Sequence, residues 1–295
     1  MQKAVLVMFF LVSILSSFAF AQPPEENVAG AGQSGFALSL AYDGAQFKYK
    51  EESNPYQSLG ILNKDKDTGW LSGVDFDARY DFDLADTPFF TRFNFDYLNS
   101  GKATFTGSAQ GGTPTLFNTT ELIDRIEFDT GWKALNFGHA TLAPFLGVGF
   151  RYWERGTGNM NNGDYKETYA WMFGAAGADF AFRPAEKLLL TADAALLLPI
   201  RPDMKTDRAG AIDTVWFGLG FRLGYRFQLP ASFDIYTNKD YSVFTLLTPY
   251  YEKWNIGQSS SVLTVKGGLT NGQLALEPKS NNETYGLKVG IGIRL

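Results

Sequence analysis

The sequence predicts an all-β protein: a closed antiparallel transmembrane β-barrel of about ten strands, with short periplasmic turns and long extracellular loops. Three observations carry this reading. The chain starts with an export signal, several stretches alternate strictly between apolar and polar residues, and the aromatic content is high, with 26 Phe, 14 Tyr and 6 Trp in 295 residues. Alternation with a period of two marks a strand, because successive side chains point to opposite faces of a sheet; a helix needs a period near 3.6.

Met1 to Ala21 has one cation, Lys3, then an apolar run ending Ala19-Phe20-Ala21, the small-x-small pattern at which signal peptides are cut. The polar sequel from Gln22 favours removal over anchoring. The expected organisation is a signal peptide at 1–21, a short periplasmic segment at 22–33 and the barrel at 34–295. No later segment supplies the ~18 consecutive apolar residues that a second helical span requires.

The alternation is plainest in Asp75-Phe76-Asp77-Ala78-Arg79-Tyr80-Asp81-Phe82-Asp83, and it recurs in Phe93-Asn94-Phe95-Asp96-Tyr97 and Arg125-Ile126-Glu127-Phe128-Asp129. From Phe217 to Leu229, and again from Tyr285 to Leu295, one face is apolar and the other is Gly, Arg, Lys or Gln. A soluble sandwich also alternates. What separates the two is the density of Phe, Tyr and Leu over runs beyond the usual ~5–6 residues of a soluble strand, and connections that alternate short and long. In order, strands are expected at 34–51, 69–83, 88–101, 119–135, 141–155, 165–183, 188–199, 213–236, 241–257 and 283–295. Tight turns fall near 84–87, 136–140, 184–187 and 238–240. Long loops fall near 53–68, 101–118, 156–164, 201–212 and 257–282. An even strand number returns both termini to the periplasmic side.

If Phe76 and Tyr80 face lipid, the charges between them face the lumen, since Arg or Lys facing hydrocarbon at mid-depth costs ~2–4 kcal/mol. The expected lumen network is Asp75, Asp77, Arg79, Asp81, Arg92, Asp96, Arg125, Glu127, Asp129, Arg151, Asp193, Arg222, Arg226, Lys288 and Arg294. A barrel this narrow can be filled by its own side chains, so these charges are expected to pair across the lumen rather than line an open pore. The aromatic girdle is expected at Trp70, Trp132, Trp153, Phe76, Tyr80, Phe93, Phe95 and Tyr225, because amphipathic rings favour the membrane interface. Trp216 and Trp254 fall on the lumen phase. Inward glycines such as Gly147 and Gly149 are expected to make room for large neighbours.

Several chemistries are excluded or disfavoured. Without Cys there is no disulfide or thiolate site, and one His cannot build a multi-histidine zinc centre. A net charge of −5 gives no basic surface for nucleic acid. Asp65-Lys66-Asp67-Thr68-Gly69 superficially suggests a calcium loop but lacks the sixth-position Gly and the closing Glu. No metal and no cofactor is expected.

On its signal, its alternating strands and its amphipathic last strand, the chain resembles Gram-negative outer-membrane β-barrel proteins. That family usually closes on an aromatic residue, where this chain has Leu295. The resemblance implies a location in the outer membrane, contact with its lipid and lipopolysaccharide, and insertion by the barrel-assembly machinery. Ten strands is also the size of the omptin surface proteases, which need paired acids and an Asp-His couple at the outer rim. The sole imidazole here, His139, lies in a periplasmic turn, a barrel's height from that rim, and a general base has to lie within hydrogen-bond reach of the group it activates. The expectation is a non-enzymatic structural or surface-binding barrel. The alternative is a narrow channel for ions or small polar solutes, and a surface hydrolase ranks below both. Tyr56, Phe117 and Tyr165 in the loops are candidates for external contacts.

Overall fold

A computed structural model of the chain describes residues 35–52, 65–108, 114–157, 165–208, 212–266 and 269–295. The expected signal peptide and periplasmic segment lie outside the described residues. So does Tyr56.

Ten antiparallel strands run in sequence order and close on themselves. They are β1 (Gly35–Glu51), β2 (Lys66–Leu84), β3 (Thr87–Ser108), β4 (Pro114–Trp132), β5 (Ala140–Gly156), β6 (Tyr165–Ala185), β7 (Leu188–Arg208), β8, β9 (Ser242–Ile256) and β10 (Ser280–Arg294). Strand β8 is one crossing in three paired segments, Ile212–Gly218, Gly224–Gln228 and Ala231–Thr237. Closure is made by β1 on β10, in an unbroken register from Ala37 opposite Arg294 to Glu51 opposite Ser280. No sheet edge is left along that seam, which removes the unpaired backbone groups that hydrocarbon could not satisfy.

The short turns lie at the end of the barrel that carries Gly35 and Leu295, whose neighbours are tied by Leu295 N–H donating to the Phe36 carbonyl at 2.8 Å. Between β2 and β3 a two-residue turn places Ala85 at φ 49° and Asp86 at φ 62°, the left-handed pair that matches the twist of a hairpin. Between β8 and β9, the Asn238 side chain accepts from the N–H groups of Asp240 and Tyr241. At the opposite end lie the long connections. The last of them, between β9 and β10, carries a small hairpin of Val262–Lys266 on Leu269–Ala275.

The strands are longer at the loop end than the sequence predicts. The expected loop at 101–118 is strand as far as Ser108 and again from Pro114, and the expected loop at 201–212 is strand to Arg208. The physical reason is a reversal of polarity along each strand. In the lower part, toward the short turns, polar groups face in and apolar groups face out: Asp43 is buried while Leu40 and Tyr42 are exposed. In the upper part the faces exchange: Ala45, Phe47 and Tyr49 are buried inside, while Lys48 and Lys50 alternate with them on the outside. In β3 a register shift at residues 101–102 resets the phase, and beyond it Ala103 and Phe105 point in. A polar outer face above a lipid belt reads as loop, although it is the outside of a strand standing in water.

Candidate functional site

The lumen gathers the charged and aromatic side chains, and it is built in three tiers. The lowest is a vestibule of about 640 Å³ lined by residues from most of the strands and by Gly138, His139, Arg183 and Leu295 at the short-turn end. Its hub is Arg92, whose Nη2 lies 2.8 Å from Asp129 and 2.9 Å from Asp193. Arg79 joins Asp179 at 3.0 Å and Asp81 at 3.2 Å, and Lys133 also reaches Asp81 at 3.2 Å. Asp77 lines the same space. Arg294 pairs with Asp234 at the lower rim. Gly147 is required here for room: a Cβ on it would lie 1.9 Å from an oxygen of Asp129.

The middle tier is an ion-paired waist. Glu252 of β9 accepts from Arg125 and Arg151, each at 2.8 Å, and from the Trp254 indole N–H at 2.6 Å. Arg151 also donates to Asn282 at 3.0 Å, and Arg125 to Asn94 at 2.9 Å. Lys288 lies 2.5 Å from Asp75 and 3.5 Å from Asp96, and Arg226 clasps Glu127 with two nitrogens. Nearly every one of these groups is buried. Buried charges are tolerated when each has a partner and lose several kcal/mol when one is removed.

Above the waist, aromatics fill the lumen. The rings of Trp153 and Tyr169 stack at 4.2 Å between centroids, with Phe47 at 5.9 Å and Tyr49 at 5.5 Å from Trp153. Trp254 meets Trp171 at 5.4 Å and Phe173 at 5.1 Å, both edge-on. Trp153 donates its indole N–H to Glu121 at 2.7 Å. Arg155 covers the face of Tyr49 at 4.1 Å and pairs with Asp67 and Glu167. The β9–β10 connection then covers the mouth. Its Glu277 is buried and accepts from the hydroxyls of Tyr169 at 2.7 Å and Tyr49 at 3.3 Å, while Val262 and Ala275 of the hairpin pack on the core. Burial, and then the nearby Glu167, push the Glu277 carboxyl well above its ordinary range.

Fourteen of the fifteen expected lumen charges face the vestibule or the waist. Arg222 does not: the interruption of β8 carries it to the loop end, where it pairs with Glu52 at 3.0 Å. In the girdle, Trp70 and Trp132 are exposed on the outer face with Tyr80. Trp153 is a correction, since it is 0% exposed and central to the plug. Trp216 is another, being 59% exposed and therefore outward, whereas Trp254 is inside as its phase implies. Phe117 stacks on Phe105 and meets Tyr165 edge-on at the rim. Asp67 of the calcium-like stretch is bound to Arg155. Sequence reasoning missed Asp179, Glu121, Arg155, Glu277 and the Tyr169-Trp171-Phe173 run. The signal was present, because 169, 171, 173 and 179 share one phase.

No family model matches the chain, and no curated protein is similar to it. Its architecture recurs in a solved structure. The outer membrane protease OmpT from Escherichia coli superposes with a TM-score of 0.61 at 10% identity, over 91% of this chain and 98% of that one. The translocator domain of the autotransporter NalP from Neisseria meningitidis gives a TM-score of 0.38 at 10% identity, over 98% and 95%. At such identity the likeness speaks for architecture alone: the chain has the fold of a ten-stranded outer-membrane β-barrel.

Proposed function

We propose that the protein resides in the bacterial outer membrane as a sealed, non-enzymatic barrel that serves as a structural or surface-binding element. The observation that carries this reading is the continuous filling of the lumen above the vestibule, from the Glu252 waist through the stacked Trp153 and Tyr169 to Glu277. A solute entering from the short-turn side meets paired guanidinium groups and then close-packed rings. His139, the one imidazole in the sequence, is exposed in the β4–β5 turn at the far end from the loops, which supports a role without acid–base catalysis at the outer rim. The partners in this reading are outer-membrane lipid, lipopolysaccharide and the assembly machinery, with the loop end presented outward.

One observation favours the second reading, a narrow channel: the vestibule is already open to one side. Planar-bilayer recording separates the two. The sealed barrel stays silent, and a variant combining Trp153→Ala, Tyr169→Ala and Trp254→Ala passes current in discrete steps. Steady unitary conductance from the unaltered protein would overturn the sealed reading.

A further inference from the structure

The vestibule contains a charge that the barrel itself does not answer. Arg79, Arg92, Lys133, Arg226 and Lys288 line this space, and each is held by a carboxylate within 3.2 Å. Asp77 lines it too, yet it has no hydrogen bond and no ion pair among the described residues. Its place in the wall is the reason. Along β2 it is the next inward position below Asp75 of the waist, so it stands on the vestibule floor. The register sets it beside Ser39 of β1 and Asn94 of β3. The Asn94 amide is used at both ends: its nitrogen donates to Asp75 and its oxygen accepts from Arg125, each at 2.9 Å.

The cations of this tier are also committed. Asp81, Asp129, Asp179 and Asp193 already outnumber Arg79, Arg92 and Lys133, the cations they hold. Arg226 approaches Asp193 at 3.6 Å, but Glu127 clasps it with both oxygens. The floor therefore carries uncompensated negative charge within the barrel wall, where a charge attracts its opposite more strongly than in bulk water. Beside Asp77, the Ser39 hydroxyl also lines the space and has no partner among the described residues. Toward the opening, the lining includes the apolar Ala37, Ala181, Leu189 and Leu246.

We propose that the vestibule is a binding site for a small aliphatic primary amine in its ammonium form, taken up from the short-turn side. Its N–H groups donate to the Asp77 carboxylate and the Ser39 hydroxyl, and its carbon chain lies along the apolar lining toward the opening. The ligand class follows from what is left unpaired. An anion would meet cations that already have carboxylates. A metal ion would find one free carboxylate, and among the described residues no group of three Asp, Glu or His is placed to hold one. An ammonium needs only one carboxylate and one further acceptor. At about 640 Å³ the space falls within the ~300–1,000 Å³ of small-molecule sites.

The test is ligand-observed NMR of pentylammonium chloride with the folded full-length barrel in lipid nanodiscs, which leave both ends open. At about pH 8 the amine keeps its proton, and empty nanodiscs give the background. The expected result is saturable binding that 1-pentanol does not displace, with NaCl and MgCl2 at least about 10-fold less effective competitors than the amine. Asp77→Asn keeps the shape and removes the charge. It should weaken binding about 10- to 100-fold, the worth of one charge-assisted hydrogen bond. Because Asp77 has no partner to lose, that variant should keep the heat-dependent gel shift and the urea midpoint of the barrel. Ser39→Ala should weaken binding about 2- to 10-fold, and Asp83→Asn, on the same strand but outside the vestibule lining, should leave it unchanged. Uptake no greater than in empty nanodiscs, or equal affinity in Asp77→Asn, overturns the site. Displacement by MgCl2 as readily as by the amine overturns the ligand class. A lowered urea midpoint in Asp77→Asn would show that Asp77 serves the wall instead of a ligand.

Discussion

The lower and upper parts of the barrel obey opposite rules. Below a row of outward tyrosines that includes Tyr42, Tyr97, Tyr152, Tyr225, Tyr251 and Tyr285, the wall is apolar outside and ionic inside. Above it, the same strands are polar outside and apolar inside, like a soluble β-protein. The lower part lets lipid take its apolar groups and keeps its charges by pairing them. The upper part depends on burial of its own aromatics, worth roughly 25 cal/mol for each Å² removed from water. One continuous strand can follow both rules because the side-chain period stays two while the solvent changes. Glu252 joins the two regimes, accepting from two arginines of the waist and from Trp254 of the plug.

The sharpest way to break this comparison is at that junction. Glu252→Ala leaves Arg151 with the neutral Asn282 and Arg125 with its longer contacts to Asp96 and Glu127, and should cost ~3–5 kcal/mol, read as a lowered urea midpoint in vesicles. Trp153→Ala tests the upper rule. A large aromatic removed from a packed core costs ~3–5 kcal/mol, and the loss here should sit at the lower end because the neighbouring rings of Tyr49 and Tyr169 can close in. If Trp153→Ala lowers the stability by less than ~1 kcal/mol, as a surface substitution would, the upper lumen is not a core.

A matched pair of charge insertions locates the boundary itself. Leu146→Arg places a guanidinium on the outer face of the lower part, where Leu146 is 67% exposed, and should cost ~2–4 kcal/mol. Thr104→Arg, also outward but in the upper part of β3, should stay within ~0.5 kcal/mol. Equal costs at the two positions would mean that the polarity reversal does not mark the edge of the lipid.

Strand number, turn positions and nearly all the lumen charges were legible because one rule, apolar out and charge in, governs the lower barrel from Asp75 to Asp83 and again along β10. Two of the misassignments share one origin. Trp153 reads as outside, and residues 101–118 as loop, only when that rule is carried above the tyrosine row, where its sign flips. Asp179 went unremarked because Gly and Ala surround it and blur the alternation of β6. Arg222 failed for a different reason: its register depends on how prolines in another strand break the ladder, which no local pattern encodes. The β9–β10 connection gave no periodic signal at all, since Glu277 is held by hydroxyls that arrive from β1 and β6.

The smallest expected effect is confined to the upper part and is a matter of pH. Glu51 stands at the loop end of β1, where burial first and then Asp65 raise its carboxyl from 4.5 to about 8; Glu277 is raised in the same direction. A raised carboxyl keeps its proton in the folded barrel after the unfolded chain has released it, so folding binds protons across that interval. Its stabilisation is complete below pH 4.5, declines as pH rises toward 8 and is constant above that, the reverse of the usual salt-bridged acid. Urea midpoints measured from pH 5 to pH 8.5 should therefore fall. Glu51→Gln, neutral at every pH, should flatten part of the decline without shifting the Trp153 environment. A midpoint that rises over this interval would show that paired carboxylates of the waist outweigh the protonated acids at the mouth.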